Sequence, residues 1–448
     1  MEGTKDILSN GKLRLGWGQT GNANIGGYKW GVSMSIMNTD FGKSYRPANI
    51  ANTGIKWESQ EQVNIGLDLG FLQDRVSLTF DWYRKESKDM LMQLQLPSYM
   101  GTSGNASSAL AAPWGNYGTI RNTGYEITLS THPLVGKFQW DSDMQISVNR
   151  NKLVALSGTS AAQIVGYGQW SDVVSVSNVG ESLYSFYGYV CDGVYEDLED
   201  LETSPKPSAY PSNGVFNKNS TVWVGDIKYK DLNGDGVIDE NDRTNIGSPM
   251  PKFTFGWTNT FRYKNFDMSV FINGSVGNKV YNYLKMKLTH MNSSWTNQLT
   301  DVNNRTTLTA IDPDKDYTYG VNVNGVTVWH WYDDVTNVKV ANTSSLPRAT
   351  INDPNDNDRI SDRYIEDGSY VRLKNITLGY TFPKRTIQKL HIENLRLYAN
   401  IQNLLTITGY DGYDPEIGAS TASANVMGLD NGRYPSPTVY SFGLNISF

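Results

Sequence analysis

Thr438-Val439-Tyr440-Ser441-Phe442-Gly443-Leu444-Asn445-Ile446-Ser447-Phe448 closes the chain and decides its class. Large apolar residues fall at 440, 442, 444, 446 and 448; small or polar ones fall at 441, 443, 445 and 447. A period of two gives one greasy strand face and one polar face. A soluble protein seldom ends on a bare apolar strand, because ends fray and greasy edges aggregate. A bacterial outer-membrane barrel commonly ends this way: the outward face meets lipid and the last strand closes the sheet. The competing reading is the buried last strand of a soluble sandwich.

The same alternation recurs upstream. Val63, Ile65, Leu67, Leu69 and Phe71 alternate with Asn64, Gly66, Asp68 and Gly70. After Gln73-Asp74 it resumes at Val76, Leu78, Phe80 and Trp82. Tyr125, Ile127 and Leu129 form another set, followed past Gly136 by Phe138, Trp140, Met144, Ile146 and Val148. Phe253, Phe255, Trp257 and Phe261 precede Lys264-Asn265, and Phe266, Met268, Val270 and Ile272 follow it. Ile376, Leu378, Tyr380 and Phe382, then Leu395, Leu397, Ala399 and Ile401, lead to the final strand. With Leu13, Leu15 and Trp17, the chain reads as about ten strands. Val371 and Leu373 have the opposite parity to Ile376–Phe382, which predicts a β-bulge near Lys374-Asn375.

The connections alternate in length. Tight turns fall near 72–75, 134–137 and 264–265, and a modest one spans 383–392. Long polar stretches fill 21–61, 88–120, 150–250, 277–368 and 406–437. Short turns on one side and long loops on the other are the habit of an outer-membrane barrel. A solvated antiparallel sheet explains the alternation but not the loop asymmetry. The parity puts both chain ends on the short-turn side, and Asp68, Asp81, Glu126, Asp141, Asp143, Asp267 and Arg396 in a wet lumen. The predicted fold is therefore all-β, an antiparallel transmembrane barrel wall with long extracellular loops.

Composition agrees. Among 448 residues, 39% are hydrophobic and 12% aromatic, with 27 Tyr and 12 Trp. Such rings suit membrane interfaces, and sugar binding equally. No apolar run approaches the ~20 residues of a spanning helix. The net charge of -6 argues against nucleic acid. Cys191 is the one cysteine and reads as a partly buried thiol without a role. Met1-Glu2-Gly3-Thr4-Lys5-Asp6 has no apolar signal-peptide core. An exported barrel is then expected to be the later part of a longer precursor.

One local motif carries chemistry. Asp231-Leu232-Asn233-Gly234-Asp235-Gly236-Val237-Ile238-Asp239-Glu240-Asn241-Asp242 fits a twelve-position calcium loop. Asp231, Asn233, Asp235, Asp239 and Asp242 supply side-chain oxygens, and Val237 its carbonyl. Ca²⁺ needs six to eight such oxygens at about 2.5 Å, and Gly236 allows the sharp turn. Asp at the last position, rather than Glu, shortens the reach. The preceding Val222–Tyr229 reads as a strand, so this is no helix-flanked hand. The expected role is structural, bracing a long loop. Asp353, Asp356, Asp358 and Asp362 lack that spacing and read as a solvated loop. His132, His290, His330 and His391 are scattered and form no nucleophile motif. Trp114, Tyr117, Trp170, Trp295, Trp329, Trp331 and Tyr332 are loop aromatics that would stack on a ligand or pack the loops.

The tail carries a resemblance. Ser361-Asp362-Arg363-Tyr364-Ile365-Glu366-Asp367-Gly368-Ser369-Tyr370-Val371-Arg372-Leu373-Lys374-Asn375-Ile376-Thr377-Leu378-Gly379-Tyr380 resembles the SusC/RagA family of TonB-dependent outer-membrane transporters from Bacteroidetes. So do Leu395–Thr406, Gly412-Tyr413-Asp414-Pro415-Glu416, the opening Lys12–Asn22 and the acidic loop at 231–242. The resemblance implies that 1–448 is the C-terminal portion of a plugged barrel of about 22 strands. It implies import of glycans or peptides with a SusD-like surface lipoprotein, and coupling to TonB. The chain shows no signal peptide, TonB box or plug domain, so the fragment alone is expected to lack energised transport. Lipid would face the apolar parity; substrate-contacting residues are not legible.

Two other classes compete. A soluble, calcium-braced carbohydrate-binding β-protein would use the acidic motif and the aromatics. A secreted glycan-active enzyme would need a carboxylate pair that no spacing picks out. About ten strands cannot close a barrel of about 22. The first strand, near Leu13–Thr20, and the last, Val439–Phe448, are expected to be edges that pair with strands outside this chain. A smaller closed barrel is the competing expectation.

Overall fold

A computed structural model describes residues 7–24, 26–93, 99, 101, 110–156, 163–168, 172–292, 295–418 and 425–448. Met1–Asp6, whose composition bore on export, and Trp170 lie outside the described residues.

Ten strands make one antiparallel sheet in chain order among the described residues. They are β1 Leu8–Asn22, β2 Glu58–Phe71, β3 Val76–Gln93, β4 Trp114–Val135, β5 Phe138–Leu156, β6 Phe253–Tyr263, β7 Phe266–Val276, β8 Tyr370–Thr381, β9 Asn394–Thr408 and β10 Val439–Ser447. Each contains one of the alternating segments. Several are far longer than the ~9–11 residues that cross a bilayer: β4 runs 22 residues and β5 runs 19.

Register explains why alternation specifies this sheet. Directly opposed residues share a face. Leu13, Leu67, Phe80, Ile127, Ile146 and Phe255 form one continuous row across six strands. Met268, Leu378 and Ala399 continue the same face, opposed to Phe442 at the end. A one-residue slip would turn every row to the wrong side. The face is uncovered: Phe266, at the turn end of β7, is 53% exposed and Leu378, within β8, is 49% exposed. A soluble sandwich would bury these rows, and among the described residues they stay exposed.

The bulge falls where the parity breaks. Phe271 opposes Asn375 and Ile272 opposes Leu373, so Lys374 is the extra residue in β8. On the other side, Asn403-Leu404 face the single Lys374, and Asn403 adopts a positive φ of 52°. The short connections are 72–75, 136–137, 264–265 and 382–393, and the long ones lie at the opposite end. Leu72, Gln73 and Asp74 all take left-handed backbone, which tightens the first turn. β1 ladders only with β2 and β10 only with β9 among the described residues. The sheet is thus open, not a small closed barrel.

The long loops fold on one another into a cap. Ser185–Gly188 pairs with Val173–Asn178 and Thr244–Gly247. Lys279–Asn282 pairs with Ile365–Asp367 and, in parallel, with Leu429–Asp430, which stitches two loops together. Three buried clusters lie here. One gathers Phe186, Tyr281, Tyr364 and Leu429; a second Tyr195, Trp223 and Val338; a third Ile227, Tyr229 and Ile238.

Candidate functional site

The polar parity forms the face opposite the apolar rows. Arg14 bonds Asp68 at 2.8 Å and Asp81 at 2.9 Å. Asp81 sits two strands away, and the contact crosses over Gly66, where a Cβ would lie 2.5 Å from Asp81 Oδ1. Arg396 and Asp267 repeat the device at 2.5 Å across Gly379. Asp141 takes both His132 and Arg262 at 2.6 Å near the short-turn rim. All seven polar residues assigned to a lumen share this face by register. Charge on this face and apolar rows on the other fit a sheet with water on one side and lipid on the other.

In the cap, the 231–242 loop turns as its spacing requires. Gly234 and Gly236 adopt φ of 77° and 82°. Their N–H groups donate to the two Asp231 carboxylate oxygens at 2.6 and 2.7 Å. Gly236 foremost, with the neighbouring amides, holds the Asp231 carboxyl below the usual range. The Asp235 amide donates to Asn233 Oδ1, and the Val237 amide to Asp235 Oδ1, both at 2.9 Å. Asp242 is buried and closes the loop by accepting from the amides of Leu232 and Asp239. These oxygens are engaged by the loop's own amides, and no three of Asp231, Asp235, Asp239 and Asp242 bring carboxylate oxygens within 4.8 Å of one another.

The stretch around Asp353 corrects its sequence reading. It is folded into the cap rather than solvated. Asp353 accepts from the Asn357 amide at 3.0 Å and from Asn357 Nδ2 at 2.5 Å. Asn357 also donates to Asp226. Asp226 is 0% exposed and takes Arg348 at 2.7 Å. Asp358 pairs with His290 Nδ1 at 2.7 Å. Burial pushes the Asp353 carboxyl up to about 6. The Asp358 hydrogen bond raises the His290 imidazole. These partnerships were not legible in the sequence, since the segments that meet are far apart along the chain.

A cavity of about 580 Å³ opens beside this cluster, lined by Asp172, Tyr189, Asp239, Arg243, Lys287 and Arg359 among others. The acidic loop contributes Asp239 to its wall. Of the aromatics assigned to loops, Trp295 is 95% exposed and Trp329 also projects, while Trp331 packs on the cap core. Trp114 and Tyr117 belong instead to β4. Burial pushes the Cys191 thiol up to about 12, which disfavours the reactive thiolate. The Gly412–Glu416 motif is structural: Arg372, buried at the loop end of β8, holds Asp414 at 2.5 Å and Glu416 at 2.7 Å.

The comparisons agree with this geometry. TonB-dependent receptor P3 of Formosa agariphila is 31% identical over 99% of the chain, which spans 40% of that protein. TonB-dependent receptor SusC of Bacteroides thetaiotaomicron is 29% identical over 99% of the chain and 38% of its own length. The chain therefore spans about two-fifths of the curated relatives it matches. A solved RagAB peptide transporter superposes with a TM-score of 0.71 at 19% identity, covering 99% of this chain and 41% of that one. The shared fold is that of outer-membrane barrels, which accounts for lipid on the apolar face. The family described as TonB dependent receptor-like, beta-barrel, matches residues 6–404, and the chain belongs to it.

Proposed function

We propose that the chain is the C-terminal part of an energised outer-membrane nutrient importer. It passes glycans or peptides by binding and gated passage, without covalent chemistry. TonB acts through an N-terminal region of the intact receptor, and a SusD-like surface lipoprotein meets the cap. The observation that carries this reading is the register, which separates lipid and water faces strand by strand beneath a packed cap. The test is uptake of labelled oligosaccharides and oligopeptides by cells with and without the intact receptor. Uptake that vanishes on deletion, and on collapse of the proton gradient, is expected. Unchanged uptake and unchanged growth on both nutrient classes would refute it.

The same reading gives the cap a structural Ca²⁺, held by Asp231, Asn233, Asp235, the Val237 carbonyl and Asp242, with Asp239 direct or through water. The turned glycines and the clamped Asp242 support it. Asp231→Ala with Asp235→Ala is expected to abolish calorimetric Ca²⁺ binding and to expose the loop to protease. If the parent itself shows neither a heat nor protection with Ca²⁺, the motif is an acidic turn.

A further inference from the structure

We propose that His290, Asp353 and Asp358 form a second cation site, of the zinc class, that staples the cap. The three offer one nitrogen and two carboxylate oxygens, all within 4.8 Å of one another. They line a small cavity of about 20 Å³. That is room for about one water or one ion. Thr350 lines the same cavity, and its Oγ1 is shut off from solvent with no hydrogen-bond partner. Thr350 itself is part-buried, and its unpaired hydroxyl leaves room for one more polar partner in the cavity.

The donor set decides the class of ion. An imidazole with two carboxylates suits zinc and its neighbours, whereas Ca²⁺ and Mg²⁺ prefer oxygen alone. This site is therefore chemically distinct from the all-oxygen loop at 231–242. Its second layer is built as metal sites require. Asn357 donates twice to Asp353 and is itself anchored on Asp226. Three cations stand near the site, and Lys287 is turned over the Tyr283 ring at 5.3 Å. Arg348 is spent on Asp226, and Arg363 donates to the Asn357 carbonyl at 2.7 Å. On binding, the hydrogen bond between His290 Nδ1 and Asp358 gives way to ligand–metal bonds, and its proton leaves to solvent.

The site joins two distant parts of one long loop. His290 follows the helix Tyr283–Leu288 that packs in the first core cluster. Asp353 and Asp358 sit in the segment that Arg348 and Asn357 tie to Asp226. A bound ion would hold these halves together without a disulfide.

The test uses the intact receptor in detergent after a chelator wash. Zn²⁺ alone is titrated by calorimetry, and Co²⁺ by visible absorption. One saturable site per chain is expected, with a tetrahedral-type Co²⁺ band that excess Ca²⁺ leaves in place. His290→Gln and Asp353→Asn are near-isosteric and are expected to weaken Zn²⁺ at least about ten-fold. The Asp231→Ala, Asp235→Ala receptor is expected to bind Zn²⁺ as the parent does. Absence of saturable Zn²⁺ and Co²⁺ binding in the parent overturns the proposal, leaving a water in the cavity. Unchanged affinity in both folded variants, judged by heat-modifiable gel mobility, overturns it equally.

Discussion

The wall and the cap solve opposite problems with one alphabet. In the wall, large apolar side chains point outward, and Leu378 stays half exposed in mid-sheet. In the cap, Trp223, Tyr229 and Phe186 are wholly enclosed. Ion pairs follow the same inversion. Arg14 and Asp81 lie on an open polar face, whereas Arg348 and Asp226 are sealed inside the cap. The lesson is that burial in an isolated sheet is a poor guide to what matters. The wall awaits lipid as its missing core, and the cap carries its core with it.

Breaking the cap from within should give the largest effect. Arg348→Met leaves Asp226 buried and uncompensated, at a cost of ~3–5 kcal/mol. Protease digestion of the intact receptor is expected to cut 172–292 and 295–368 while heat-modifiable mobility of the barrel persists. Simultaneous loss of both would show that wall and cap are one cooperative unit.

Next comes the wall. Leu78→Arg, Phe255→Arg and Leu444→Arg are expected to cost ~2–4 kcal/mol near the bilayer midplane, from reversible unfolding in vesicles. Thr79→Arg, Thr254→Arg and Asn445→Arg, one residue away on the water face, should cost ~1 kcal/mol or less. Equal penalties at both parities would remove the basis for distinguishing the two faces.

The smallest expected effect sits at the seam. Burial alone would raise Asp414, but the Ser436 and Glu416 amides and Arg372 together draw it down to about 2. A carboxyl lowered on folding stabilises above its unfolded value of about 3.9 and loses that contribution as pH falls through its folded value. Anchoring of the last long loop should therefore weaken between about pH 4 and pH 2, by no more than about 2 kcal/mol. Asp414→Asn should flatten that stretch of the profile, read by hydrogen exchange in 425–438. An unaltered profile would move the seam elsewhere.

Legibility divides along the same line. The wall was readable because each strand repeats a local rule, so Leu13 and Phe442 announce their face without knowing their neighbours. Even the bulge at Lys374 appeared as a break in parity. The cap obeys no local period. Trp223 shares a core with Val338, and His290 meets Asp358, across distances that no window along the chain spans. The Asp353 segment misled for that reason: its acids look like a solvated run until Asn357 and Asp226 are placed beside them. The 231–242 loop is the exception, since its geometry is local, and its turn came out as its spacing required.

The glycines beneath the water-face ion pairs bear on how the sheet assembles. Alternation penalises a slip of one residue, which flips every side chain. It is blind to a slip of two, which keeps grease on grease. With β2 displaced by two, Asn64 or Asp68 would replace Gly66 between Arg14 and Asp81. Its side chain would block a bridge that requires an empty Cβ position. Gly379 sets the same condition for Asp267 and Arg396. The paired guanidinium and carboxylate thus act as a ruler laid across three strands, closing only when the even-numbered error has been rejected along with the odd.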